Sequence, residues 1–478
     1  MKQRLLLWEP KPKEPLSAGK EVPQAGQNYI ASEPDLKGGM ETPMKRNSRF
    51  FTALASILAC AILLCACSSQ DHLVPGGSNA LTEESVVPEY DTLCSAWILC
   101  PGGATSNGFY RVVTNADATG NIIYYDYDSR QTVFLSDQIN STHRDETDTS
   151  FLPSVYGGAE AMSDGHFVYI LKMSSPGALR HGLEQSAAQG TLYRIGLDGQ
   201  DRQVIFLPLT QDILPSTGVV SRDGELYFLV QETTGSESAP VLMKTDFETG
   251  RATAVFSFEA DVSPSLIGHC SLGLLFSIYD RETDSQTLSV FQEDTMRFQP
   301  MDFPCKENEF VLDSTDGVIY FIPRKDAHAV FRYDPQNGQS LEIAPIPTIT
   351  EYDRLYLSGH IVDHHLFLEL ESSETGKLLR YALDLEQRTW HEQHLVDGDT
   401  PVQIYADSSS EYLVRLEDQV VEYLDYTPDG VPVTNEMLAP HYVLIAKEDY
   451  WNNRPNYQEF TDHVSSRLLL DVPSSSAS

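Results

Sequence analysis

The chain has 478 residues, 41% of them apolar and 21% charged, a balance that supports a buried core and excludes wholesale disorder or a collagen-like composition. Its 33 Lys and Arg face 69 Asp and Glu, a formal charge of −36, and a field of that sign repels phosphate at every contact, so nucleic acid is excluded as a partner. Length alone, at roughly 100–200 residues per domain, would give about three domains, although all-β rings routinely break that rule.

Residues 1–43 are rich in Pro, Lys, Glu and Gly without periodicity and read as a disordered upstream extension, with the natural start at Met44. Lys45, Arg46 and Arg49 then form a basic region before an apolar run from Phe50 to Leu64, so 44–66 is expected to be a signal peptide. It ends in Leu64-Cys65-Ala66-Cys67, which resembles the lipobox of bacterial lipoproteins. That resemblance implies cleavage between Ala66 and Cys67 and a diacylglycerol on the Cys67 sulfur. An uncleaved membrane helix is the alternative, since the run of about 18 residues approaches the ~20 needed to span a bilayer. Either way the bulk of the chain lies outside the cytoplasm, and the lipobox places it on the outer face of a bacterial, Gram-positive type cell membrane. The part beginning at Cys67 keeps 24 basic and 63 acidic residues, a balance of −39. Residues 67–89, with their Gly, Ser and Asn, read as a flexible tether. The expected domain covers 90–460, and 461–478 reads as a disordered tail.

Cys94, Cys100, Cys270 and Cys305 remain for the folded part and allow three pairings. Cys94 and Cys100 either close a small loop outside the cell or are two small buried hydrophobes. No Cys-x-x-Cys occurs after Cys67, so a thiolate zinc site has no support.

Within the domain, a turn followed by a short alternating strand recurs seven times, at 107–113, 164–171, 223–230, 272–279, 316–323, 364–371 and 410–417. After each comes a strand running into an Asp-led turn, at 122–131, 192–200, 242–250, 288–295, 330–338, 379–388 and 421–430. Asp128, Asp198, Asp246, Asp334, Asp384 and Asp425 fall in register, because Asp at the head of a turn accepts backbone N–H groups just beyond it. Apart from 178–189, helical periodicity is almost absent. Short antiparallel units with this spacing cannot bury both faces alone and must stack in a ring. The fold class expected is all-β, a β-propeller of about seven four-stranded blades, with six or eight as alternatives. Leu93–Cys100 and His441–Ala446 flank the repeats and are expected to close the ring as strands from the two ends.

The segment Leu192-Tyr193-Arg194-Ile195-Gly196-Leu197-Asp198-Gly199 resembles the I-x-R-x-x-L-D-G stretch of low-density-lipoprotein-receptor-type YWTD propellers. It is similar, more closely, to propellers of a group of bacterial surface lipoproteins, and the resemblance covers most of 95–450. It implies the propeller fold. Many members of that group follow the first Tyr-Asp strand with C-x4-C-x-H-x4-C; this chain has Ser136, Ser141, His143 and Asp148 at the matching spacings, so all three cysteines are missing. His143 is therefore expected to be a solvated loop histidine.

His360, His364, His365, His391 and His394 alternate across extended strands with no carboxylate at a ligand-like offset. Asp145, Glu146, Asp148, Asp397 and Asp399 lack the Asp-x-Asp-x-Asp-Gly calcium pattern and are expected to be solvated acids. No metal and no cofactor is expected, and no catalytic motif is present. In a propeller the tight turns share one face, while second-to-third strand loops and blade connections share the other. The long segments 137–160, 173–190, 207–217, 231–240 and 345–353 belong to the second class, so a ligand site is expected on that face at the channel mouth. Tyr156, Arg180, His181 and Tyr352 are the candidate contacts. The function expected is a lipid-anchored binding or interaction module for an unknown protein, peptide or glycan; the alternative is an extracellular polysaccharide hydrolase or lyase. Converging carboxylates with an Arg or His at the mouth would favour the enzyme.

Overall fold

The computed structural model describes residues 90–464 except 97–101, 116–117, 137, 139–140, 176–178, 180–183, 304–309, 316, 324–327, 348–353, 358–360, 399 and 427–431. Seven four-stranded antiparallel blades follow one another along the chain. Blade 1 consists of Gly103–Thr105, Gly108–Thr114, Gly120–Asp126 and Gln131–Phe134; blade 2 of Ala159–Ser163, Phe167–Lys172, Thr191–Gly196 and Gln203–Phe206. Blade 3 consists of Val219–Arg222, Glu225–Thr234, Glu237–Asp246 and Arg251–Ser257; blade 4 of Val262–Cys270, Gly273–Asp280, Ser285–Gln292 and Arg297–Pro300. Blade 5 runs from Phe310 to Pro345, blade 6 from Arg354 to Gln393 and blade 7 from Gln403 to Glu459. The first strands of blades 1 and 2, 3 and 4, 4 and 5, and 7 and 1 meet around the central channel.

The local cause is turn chemistry. Between third and fourth strands, Asp198, Asp246, Asp334 and Asp384 each accept a backbone N–H two or three residues on, at 2.9–3.0 Å. In blade 1 that role falls to Asp126, which accepts from Asp128 and Ser129, so Asp128 is a donor and not the turn acceptor. In five blades the same turn ends in a left-handed residue, Arg130, Gly250, Met296, Gly338 or Arg388, with φ between 54° and 69°. A four-residue turn needs that conformation to return the chain antiparallel.

Packing then makes the ring. There are seven buried apolar clusters, one between each successive pair of blades. Between blades 3 and 4, Val220, Tyr227, Leu229 and Leu242 meet Leu266, Leu274, Phe276 and Phe291. The seventh cluster joins Phe109, Ile123 and Tyr125 of blade 1 to Leu413, Tyr442 and Leu444 of blade 7, and Arg130 adds a double hydrogen bond to Glu411 at 2.7 and 2.8 Å. That cluster closes the circle.

Closure differs from the expectation. His441–Ala446 belongs to the third strand of blade 7, Pro432–Ala446, whose partner is the long second strand Glu411–Tyr426. Hence 421–426 continues a second strand beyond the blade as one side of a hairpin, and Asp425 does not share the register of the other turns. After the fourth strand, Thr461–Asp462 pairs in parallel with Gln131–Thr132 at the outer edge of blade 1. The N-terminal strand, Tyr90–Cys94, takes no part in that seam. It pairs antiparallel with Val219–Arg222, the innermost strand of blade 3. Blade 7 is therefore complete from its own contiguous residues, and the first and last described strands go to opposite edges of the ring: one to an inner strand, one to an outer.

Candidate site at the channel mouth

Antiparallel order puts all third-to-fourth turns on one face and the second-to-third loops and blade connections on the other. The connection from blade 1 to blade 2 is pinned at Val155, which is buried between these blades and whose N–H donates to the Ala118 carbonyl, in the second-to-third strand loop of blade 1, at 2.8 Å. Tyr156 follows, half-buried, with its N–H on Ser154 Oγ at 3.3 Å. Gly157 and Gly158, at φ +98° and +102°, then turn the chain into the inner strand of blade 2. Tyr156 thus stands on the long-loop face, in the connection just before the inner strand of blade 2. Arg180, His181 and Tyr352 lie outside the described residues, as do Ala66 and Cys67.

The described residues that follow the second strand of blade 2 are held by a buried cation. Lys172, at the end of the second strand of blade 2, is 1% exposed. Its ammonium donates to the carbonyls of Ala187 and Gln189 at 2.5 and 2.6 Å, beside the short helix Gln185–Ala188. Burial pulls its pKa down to about 8. Ser174 Oγ donates to Asp212 Oδ1 at 2.6 Å, tying this loop to the connection into blade 3. Within the stretch read as helical, the described helix is this single turn.

One carboxylate near the mouth is perturbed. Glu160 lies on the inner strand of blade 2, opposite Leu171 in the register, and burial raises its pKa while the Arg111 charge lowers it. Arg111 stands 4.9 Å over the Tyr442 ring and hydrogen-bonds the Tyr125 hydroxyl. Beyond Tyr442, Tyr405 packs edge-on at 5.3 Å, and Arg415 bonds both Tyr405 and Asp418. Burial pushes the Tyr442 hydroxyl up to about 12, so it is neutral at physiological pH. Two guanidinium groups and three tyrosines thus run through the seam between blades 7 and 1, with Glu160 acting on Arg111 and Asp418 bonded to Arg415. Among the described residues no second carboxylate acts on Glu160. Glu160 and Arg111 sit on ordinary strands with no motif around them, so sequence reasoning did not single them out; a charged residue at an alternate position of an otherwise apolar strand was the available signal.

His143 corrects an expectation. It is buried, its ring stacks on Phe134 at 4.1 Å, and its Nδ1 lies 2.9 Å from Asp148 Oδ2. Asp148 is likewise buried rather than solvated, and accepts from Ser136 Oγ at 2.7 Å, Ser150 Oγ at 2.6 Å and Ser141. The four positions that align with C-x4-C-x-H-x4-C therefore do converge, but as a hydrogen-bonded knot that fixes the blade 1 connection. Polar side chains buried together in a loop satisfy one another, a reason for burial that composition does not display.

The other histidines do not gather. The His365 ring lies 4.2 Å from Trp451 and 6.3 Å from His391, while His394 pairs with Glu392 at 3.5 Å. His360 and Asp399 lie outside the described residues. Asp397 accepts the Glu417 N–H. Among the described residues no group of three His, Cys, Asp or Glu is placed to hold a metal ion. Cys94 and Cys270 are buried thiols rather than disulfide partners, and Cys100 and Cys305 fall outside the described residues.

Fold and mouth together define the chain as a seven-bladed β-propeller with its long loops on one face. No protein-family model and no curated protein matches it. Among solved structures, an oligogalacturonate lyase in complex with manganese aligns with 77% of this chain and 98% of its own, at 11% identity and a TM-score of 0.40. A second oligogalacturonate lyase, from Vibrio parahaemolyticus, aligns with 76% and 98% at 11% identity and 0.37. The β-propeller domain of the Trilobed protease from Pyrococcus furiosus, of open velcro topology, aligns with 63% and 93% at 11% identity and 0.35. No activity passes to this chain from similarities at that level.

Proposed function

We propose that the protein is a lipid-anchored, extracytoplasmic binding module. Cys67 carries the lipid, and the long-loop mouth engages a protein, peptide or glycan. The observation that carries the binding reading is the company of Glu160: burial and the Arg111 guanidinium set its state, and no described carboxylate pairs with it. Acid–base cleavage of a glycosidic bond ordinarily uses two carboxyl groups about 5–10 Å apart. A half-buried acid whose described charged neighbour is a guanidinium, with Tyr156 on the same face, is the chemistry of recognition, where aromatic surfaces and charge-assisted hydrogen bonds supply the contacts. The lipid-anchor reading rests on the basic region, the apolar run and Leu64-Cys65-Ala66-Cys67.

The test is a screen of the purified protein against glycan and peptide arrays, with turnover measured on every ligand retained. Binding without turnover is expected. Arg111→Ala and Tyr156→Ala should each weaken binding about tenfold or more, the equivalent of ~1.4 kcal/mol, while Glu248→Ala on the opposite face leaves it unchanged. Cleavage of a retained glycan, abolished by Glu160→Gln, would establish the polysaccharide hydrolase or lyase instead.

A further inference from the structure

The strand Tyr90–Cys94 has a direction, and the direction has a consequence. Tyr90 pairs with Arg222 and Cys94 with Val219. Arg222 stands at the tight turn that leads into the second strand of blade 3, and Val219 at the opposite, long-loop end of the same inner strand. The chain therefore enters the channel from the tight-turn face and climbs toward the long-loop face before blade 1 begins.

It is held on both sides along that path. The Tyr90 hydroxyl accepts from Arg222 Nη1 at 3.0 Å, and the Arg222 guanidinium lies 5.0 Å over the same ring. Toward blade 4, Thr92 Oγ1 and His269 Nδ1 are 3.0 Å apart, Ser95 Oγ donates to the Ile267 carbonyl at 3.1 Å, and the Ala96 N–H donates to the Leu266 carbonyl at 3.1 Å. The partners on blade 4 descend from 269 to 266 as the strand rises from 92 to 96, confirming its direction from a second blade. Gly218 makes the crowding visible: at φ +97°, a Cβ there would lie 1.7 Å from the Leu266 oxygen, so only glycine lets the three chains meet.

We propose that this strand is a stalk. It occupies the channel beside blades 3 and 4, brings the preceding residues out at the tight-turn face, and so turns that face toward the membrane and the long-loop mouth away from it. The inference rests on the proposed membrane attachment through the N-terminal side and adds the polarity of the display. To present the mouth to the bilayer, the chain before Tyr90 would have to run around the outside of a ring whose blades are about 19 Å deep and ~25 Å tall, at a cost in chain entropy.

The test places a fluorophore at either end of one blade. Glu248→Cys lies at an exposed tight turn and Ser236→Cys at the exposed tip of the long hairpin of blade 3, separated along its strands by roughly 30 Å. Cys100 and Cys305 are replaced by Ser to limit labelling to the new thiol. Energy transfer to an acceptor on lipid headgroups is measured with two tethers: the lipidated protein from cells, and the chain from Ser68 behind a hexahistidine on nickel-chelating phosphatidylcholine vesicles. Transfer from position 248 should exceed that from 236 by at least about two-fold with the histidine tether. Equal or reversed transfer would overturn the stalk. If the histidine-tethered chain shows the asymmetry but the protein from cells does not partition with membranes, the stalk stands and the lipid at Cys67 falls.

Discussion

At the scale of single residues, the most constrained group is Asp148. Burial alone would raise its carboxyl, but hydrogen bonds from Ser141, Ser150 and Ser136 outweigh that and hold it at about 2, below the ordinary 3.8. Because the folded value is depressed, the contribution is present above about pH 4 and is lost as pH falls from about 4 to about 2. Asp148→Asn keeps the shape, removes the charge and leaves hydroxyl donors competing for one amide oxygen. It should cost about 1–3 kcal/mol at pH 7 and flatten the loss of stability below pH 4, both read by urea denaturation. A variant as stable as the parent with the same acid limb would contradict the knot. The residues of this knot were visible in the sequence as spacings but not as a structure. Ser136, Ser141, His143 and Asp148 occupy the positions of a known pattern, yet the missing cysteines pointed toward a solvated loop, because burial in a loop comes from contacts that no local periodicity encodes. Glu160 and Arg111 escaped for a related reason: each looks like an outward residue of an alternating strand, and only the assembled ring brings the first strand of blade 2 and the second strand of blade 1 together.

At the scale of elements, the hairpins were legible because their determinants are local. Asp-led turns and period-two alternation place the second strands of all seven blades and the third strands of six. Blade 7 defeats the pattern. The stretch 421–426 alternates like a third strand, but the second strand continues through it to Tyr426, and the third strand begins at Pro432. Strand length is set by pairing partners, and two strands of 16 and 15 residues can prolong each other beyond the blade. The closing element was misplaced for the same reason: a short apolar strand at 441–446 fits a seam and a third strand equally well. Its removal is nonetheless expected to be severe. Truncation after Asp429 removes Val443, Ile445 and Tyr450 from the core between blades 6 and 7, and Tyr442, Leu444 and Val464 from the core between blades 7 and 1. At about 1.5–3 kcal/mol for each large apolar side chain, the loss rivals the whole stability of a domain. Calorimetry should show no cooperative transition near the parent temperature. One that remained there would mean that the ring does not depend on the seam between blades 7 and 1.

At the scale of the molecule, the ring converts seven modest hairpin stacks into a rigid body with two unlike faces. Each blade shares a core with both neighbours, so no blade is stable in isolation and none has an open flank. On one face lie the short Asp-led turns and the point where the N-terminal strand enters; on the other lie the long loops, Tyr156, the segment held by Lys172 and, at the start of the inner strand of blade 2, Glu160. A scaffold of this kind places function on its longer loops because the turns opposite are fully spent on closing hairpins. The fold needs no ligand to explain it, whereas half-buried Glu160 and Tyr156 lie outside the buried clusters that hold the ring and are the groups a ligand would meet. The most direct test is hydrogen exchange of the intact protein with and without a ligand retained in the array screen. The expected protection falls on 154–160, 173–175 and 207–217, with no change at 197–200, 223–224 and 246–251. Protection confined to those three tight turns would contradict the account.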